Sequence, residues 1–215
     1  MSITPPDRFG KSLRQFDGSN RSRLSSHRPL SARDVLIIGG VIVGIGALIT
    51  SCAGSRPVGN PSVPEPAKPV DLSRYLGRWY EIARYDSSFE RDCEGVMAEY
   101  SLRPDGIIRV VNTCRKGSLE GRIHTAEGKA KVVPGSGNAK LKVSFFGPFF
   151  LADYWVLDHA EDYSWSIVGE PTGKYLWLLC REATPAEPVK AAFLRRASDI
   201  GYDTSMLRMT QQSPA

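Results

Sequence analysis

Histidine is scarce in this 215-residue chain, and none of its three copies sits in a pattern that chemistry could use. His27 falls in a polar, basic N-terminal stretch. His124 and His159 stand alone, without the Cys, Asp or Glu spacing that a metal site needs. Gly-x-Ser-x-Gly is missing, and so is a glycine loop of the phosphate-binding kind. No metal, no cofactor and no enzymatic activity are therefore expected. Long apolar runs are lacking too. The charge-free stretch Val35–Ile49 is shorter than the ~20 residues of a typical spanning helix. It suits the ~7–15-residue core of a signal peptide.

The net charge of +5 is concentrated at one end. Residues 1–34 carry Arg8, Lys11, Arg14, Arg21, Arg23, Arg28 and Arg33 against Asp7, Asp17 and Asp34. The remainder is nearly neutral, so charge gives no reason to expect nucleic acid as a partner. A basic segment before an apolar core is what translocation requires, since positive charge stays on the cytoplasmic side. The run ends at Ile49-Thr50-Ser51-Cys52, which fits a lipobox: an aliphatic residue, two small ones and the cysteine to be acylated. An uncut membrane anchor is the alternative. Residues 1–51 are thus expected to be a lipoprotein signal peptide. Residues 52–69, with Pro57, Pro61, Pro64 and Pro66, should form an acylated, extended tether, and 70–212 the folded domain.

Strand signals follow at short spacing from there, separated by Gly, Pro, Asn and Asp. Expected strands are 79–84, 96–102, 107–112, 123–132, 139–145, 154–158, 165–170 and 175–181. Arg103-Pro104-Asp105-Gly106 and Pro134-Gly135-Ser136-Gly137-Asn138 are hairpin turns. Eight antiparallel strands joined as hairpins make an up-and-down barrel, which leaves no exposed edge. A helix follows, capped by Thr184, with Val189, Ala192, Phe193, Leu194 and Ala197 as its apolar stripe and Gly201 as its stop. A short final strand, 205–210, ends the domain.

Leu76-Gly77-Arg78-Trp79-Tyr80-Glu81-Ile82-Ala83, answered by Tyr175-Leu176-Trp177-Leu178-Leu179-Cys180-Arg181, resembles the bacterial lipocalins and their relative apolipoprotein D. The resemblance runs from about Val70 to Gln212 and implies a lipocalin barrel with a C-terminal helix. It makes Gly77, Trp79 and Arg181 the barrel floor, the guanidinium stacked on the indole by cation–π attraction. Where the second lipocalin motif, Thr-Asp-Tyr, belongs, this chain has Leu157-Asp158-His159-Ala160-Glu161-Asp162-Tyr163, a degenerate version.

Strand alternation then lists the lumen. Trp177 and Leu179 share the face of Arg181, while Leu178 and Cys180 point outward. From the Pro104 turn, Tyr100 opposes Val110 and Ala98 opposes Asn112, and the resemblance puts Ala98, Tyr100 and Asn112 inside. Leu141, Val143 and Phe145 alternate with Lys140, Lys142 and Ser144 and should face in. Glu81 is a further polar candidate. Phe145-Phe146-Gly147-Pro148-Phe149-Phe150-Leu151 lies at the open end, with two phenylalanines expected as lining and the others as a contact to a membrane or partner. Cys93 and Cys114 meet at the same end, offset by about three residues, so a disulfide requires the first loop to fold over. Cys180 should be a free buried thiol.

The expected function is storage or transport of a fatty acid or lysophospholipid by a lipoprotein anchored through Cys52 to the periplasmic face of the outer membrane. A homodimer is a further candidate assembly. Two alternatives remain open: a lipid- or isoprenoid-modifying enzyme using Glu81 or Asp158 as general base, and a pocket-filled structural module.

Overall fold

The computed structural model describes residues 57–213, so the leader and Cys52 lie outside the described residues. Strands β1 (Gly77–Tyr85), β2 (Cys93–Leu102), β3 (Ile108–Lys116), β4 (Ile123–Val132), β5 (Lys140–Ser144), β6 (Ala152–His159), β7 (Trp165–Gly169) and β8 (Leu176–Cys180) pair in sequence order, all antiparallel. β1 closes the ring by pairing with both β8 and β2. The up-and-down barrel read from the sequence is therefore the fold. Its β2–β3 register matches the expected pairs Tyr100–Val110 and Ala98–Asn112, and Leu102 pairs with Ile108. Helix α1 (Leu72–Tyr75) precedes the barrel, while α2 (Glu187–Asp199) and β9 (Leu207–Met209) follow it.

Three bulges decide what faces inward, in β1, in β2 and, between Val156 and Asp158, in β6. In β1, Glu81 pairs with Leu179 and Ala83 with Leu178, leaving Ile82 as an extra residue. Every β1 side chain beyond it changes face. In β2 the register slips between Glu94 and Met97, at Gly95, whose φ of +57° favours glycine. This slip reduces the offset of Cys93 from Cys114 to two residues, a diagonal on one face. The disulfide forms there with Cα atoms 5.5 Å apart, without the loop folding over.

Helix α2 begins later than expected, at Glu187 with Ala186 as its cap, and not from Thr184. A helix capped at Thr184 would place Pro188 in its interior, where an amide must donate. Starting at Glu187 puts that proline in the first turn, where no donor is needed. The final strand is also shorter than expected. Asp203 accepts from the Ser205 amide at 2.9 Å and holds 204–206 in a 3₁₀ turn before β9. β9 pairs with β1 where β2 has diverged from it, and Gln212 Nε2 donates to the carbonyls of Glu81 and Val96, on the two separating strands. The C-terminal segment thus fills a gap in the wall.

The proline-rich segment is not a free tether along its whole length. The amides of Gly59 and Asn60 donate to Gly173 O at 3.0 and 3.3 Å, in the β7–β8 turn, and Asn60 is buried. Farther along, Ala67 donates to Leu157 O at 2.8 Å and Val70 to Gly137 O at 2.8 Å, in the β4–β5 turn. Residues 59–70 therefore strap the outer wall from the open end to the floor. Gly59 is required, because a Cβ there would lie 2.1 Å from the Tyr85 ring.

Apolar side chains form two large layers, besides a small cluster of Val96 with the Cys93–Cys114 disulfide. One fills the barrel around Trp79, Val110, Leu141 and Val168. The other lies between the outer wall and α2, where fully buried Phe193 and Ala197 cover Ile167, Leu176 and Leu178. Cys180 belongs to this outer layer as a free, buried thiol, as expected.

The floor has the geometry that the paired motifs imply. Trp79 is wholly buried, and the Arg181 guanidinium carbon stands 3.8 Å from its ring centre. Arg181 also donates to Arg78 O and Arg74 O at 2.6 Å, and to Leu76 O and Tyr75 O at 3.0 and 3.1 Å. Gly77, at φ +90°, lies beneath it. The degenerate turn supports the same end, since Tyr163 Oη accepts from the Asp71 amide at 2.7 Å. Trp79→Ala is expected to cost about 3–5 kcal/mol, as for other buried aromatics. Arg181→Ala should also lower the melting temperature, because it exposes the indole and frees four carbonyls. Arg181→Lys should not restore it, since an ammonium lacks the planar fork. Thermal unfolding followed by circular dichroism checks both, and an Arg181→Ala protein melting like the parent would refute the seal.

Candidate functional site: the barrel lumen

The lumen is built in layers. Directly above Trp79 lie three tyrosines. Tyr75 reaches in from α1, and its hydroxyl meets Tyr154 Oη at 2.9 Å and Ser166 Oγ at 3.1 Å. Tyr154 Oη in turn meets Tyr100 Oη at 3.0 Å. Burial pushes the Tyr75 phenol up to about 12 and the other two higher still, so all three stay neutral donors. Of these, sequence reasoning singled out Tyr100 alone. Tyr154 could have been found by continuing the alternation along β6. Tyr75 could not, because it precedes the first strand.

Above the tyrosines the wall is apolar. Val110, Leu141, Val143 and Leu179 are buried in the interior layer, and Ala98 and Phe145 pack on it while remaining half-buried. Phe145 can turn inward because it lies over Gly128, where a Cβ would approach its ring to 2.8 Å. Asn112 is half-buried, and its side-chain amide has no hydrogen-bond partner among the described residues. These residues come together on the inner wall, with Trp177 toward the mouth. It pairs with Arg84 near the mouth and stacks on Tyr175 at 5.7 Å.

A charged layer crosses the lumen at that level, and alternation alone does not reveal it. Glu81 is buried and accepts from Arg84 Nη1 at 2.5 Å and from Thr210 Oγ1. Arg84 is fully buried. It also donates to Thr210 Oγ1 at 3.1 Å and to the carbonyls of Glu90 and Cys93 at 3.0 and 3.2 Å. Counted from Trp79, Arg84 should point out; the Ile82 bulge turns it in. Glu90, from the β1–β2 loop, accepts from Trp177 Nε1 at 3.0 Å and stands 3.9 Å from Arg84 Nε, which has no hydrogen-bond partner among the described residues.

One guanidinium faces two carboxyls here. Burial raises Glu81, against the pull of Arg84. Burial, and next the neighbouring Glu81, push Glu90 up to about 7. Asp158, the other base considered from sequence, is on the outer wall, paired with Arg196 at 2.5 Å. It does not face the lumen.

The open rim differs from expectation in one respect. Phe146, Phe149 and Leu151 are exposed at 71%, 68% and 79%, while Phe145 alone turns in. Phe150, expected at the rim or as lining, instead folds over the outer face of β4. Lys131 and Lys129 stand 4.5 and 5.5 Å from its ring centre and hold it there by cation–π attraction.

The raised Glu90 carboxyl makes stability depend on pH. The native state binds a proton that the unfolded chain, near 4.5, has released. Stability should therefore fall as pH rises from about 4.5 to about 7. Glu90→Gln should flatten that part of the profile, as read from denaturant midpoints across the range. An unchanged slope in the variant would contradict the assignment.

The lipocalin-like domain family matches residues 70–212. The outer membrane lipoprotein Blc of Vibrio cholerae is 43% identical over 171 residues, covering 77% of this chain and 93% of that one. Temperature-induced lipocalin-1 of Arabidopsis thaliana is 39% identical over 160 residues, covering 69% and 83%. Insecticyanin from the tobacco hornworm Manduca sexta has a TM-score of 0.55 at 24% identity, covering 74% of this chain and 87% of that one, a likeness of fold. The barrel, its sealed floor and these matches agree: the chain belongs to the lipocalin family.

Proposed function

We propose that the protein is an outer-membrane lipoprotein, acylated at Cys52 and facing the periplasm, that binds a fatty acid or lysophospholipid and stores or moves it within the cell envelope. Relatives named outer membrane lipoproteins, among them those of Vibrio cholerae and Escherichia coli, support the location. The observation that carries the ligand class is the layering of the lumen. It is sealed by Trp79 and Arg181, apolar along Val110, Leu141, Val143 and Leu179, and polar at the mouth. An acyl chain lowered into it gains about 0.8 kcal/mol per buried methylene. Its head group then meets Asn112, Glu90 and Trp177. The tyrosine layer fills the lowest part of the barrel, so the chain's end rests on hydroxyls, above the indole.

Delipidated protein should bind palmitate and palmitoyl-lysophosphatidylethanolamine saturably, read by a change in intrinsic tryptophan fluorescence. Trp177→Ala should weaken binding by about 1–3 kcal/mol, the scale of an apolar side chain's burial. Cys180→Ser, beneath α2, should leave affinity unchanged. No saturable binding of either lipid to folded, lipid-free protein would favour the filled-barrel interaction module.

A further inference from the structure

We propose that the open mouth of the barrel docks against the bilayer surface, held there by the strap that carries the anchor. The inference rests on acylation at Cys52 and otherwise on geometry. The strap is fixed to the barrel first at Gly59 and Asn60, on the β7–β8 turn. That turn is at the mouth, with the β1–β2, β3–β4 and β5–β6 loops. Gly59 O also accepts from the Asp203 amide at 2.9 Å, and Tyr85 Oη, at the top of β1, donates to Asp203 O at 2.8 Å. Only six residues separate Cys52 from Gly59. Fully extended, that span reaches about 25 Å, at ~3.3–3.6 Å per residue. A tether free as far as Val70 could have led from either end of the barrel; the strap confines its exit to the mouth.

The mouth is also the apolar end. Phe89, Phe146, Phe149 and Leu151 project from its loops, and Val58 stands exposed on the last strap residue before Gly59. Among the described residues, the floor end exposes one comparable side chain, Leu102. Apolar side chains clustered on one rim need a cover, and a bilayer within reach of a short acylated tether supplies it. A ligand could then pass between bilayer and lumen without crossing water.

The test is amide hydrogen exchange on the mature acylated protein in phosphatidylethanolamine–phosphatidylglycerol vesicles, against the same protein in detergent. Docking predicts several-fold slower exchange in 86–92 and 145–151, and no change in the floor turns 103–106 and 133–138. Phe146→Asp/Phe149→Asp/Leu151→Asp, all at exposed positions, should abolish the rim protection while keeping palmitate affinity in solution. A flexible Gly-Ser insertion of twenty residues after Cys52 should weaken it by lowering the effective concentration of the surface. Protection of the floor turns, or of neither end, overturns the proposal. So does rim protection in a vesicle-free Cys52→Ala protein of dimer mass, which would make a second copy the cover. Loss of palmitate binding with rim protection intact would sink the lumen reading alone.

Discussion

The guanidinium of Arg181 holds together the parts on which the lumen depends. It lies where α1, the start of β1 and the end of β8 converge, and it satisfies the carbonyls of Arg74, Tyr75, Leu76 and Arg78 while covering the Trp79 ring. Those contacts fix α1 at the floor, and α1 delivers Tyr75 to the tyrosine layer. Trp79 Nε1 donates to Tyr75 O at 2.8 Å, so ring, helix end and cation form one unit. The depth of the lumen is set from beneath.

At the other end, an irregularity brings polarity into an apolar shaft. The extra residue at Ile82 turns Arg84 inward, and Glu81, Glu90 and Thr210 gather around it. A buried guanidinium without carboxylates would be prohibitively costly, and two ionised carboxylates on it would leave surplus negative charge. Burial, and next the neighbouring Glu81, push Glu90 up to about 7, which favours its neutral form. The same carboxyl accepts from Trp177, so that ring is held by a group pushed up to about 7.

How far the sequence could be read follows from these features. The barrel, the floor residues and the lining from Ala98 to Leu179 were legible because alternation survives wherever strands are regular and a turn such as Pro104-Asp105-Gly106 sets the register. Arg84 was hidden because a one-residue bulge inverts the count and has no signature in Tyr80-Glu81-Ile82-Ala83-Arg84. The disulfide was legible as a pair, but its geometry depended on the slip at Gly95. Proline content pointed to an extended segment at 52–69 without revealing that Gly59, Asn60 and Ala67 bind the wall, since those bonds use backbone groups. Phe150 left the rim because two lysines on β4 compete for its ring, a tertiary contact that spacing does not record.

The gap in the wall closed by residues 207–212 makes barrel assembly a late event. β1 forms near the start of the domain, yet its upper edge is completed only by β9, and the carbonyls of Glu81 and Val96 wait for Gln212. Contacts of such sequence separation are slow to form, because loop closure must precede them. A chain still emerging from the ribosome, or threading through a translocon, therefore lacks the last piece of its own wall. The wall beside β1 stays open until residues 207–212 have paired with it.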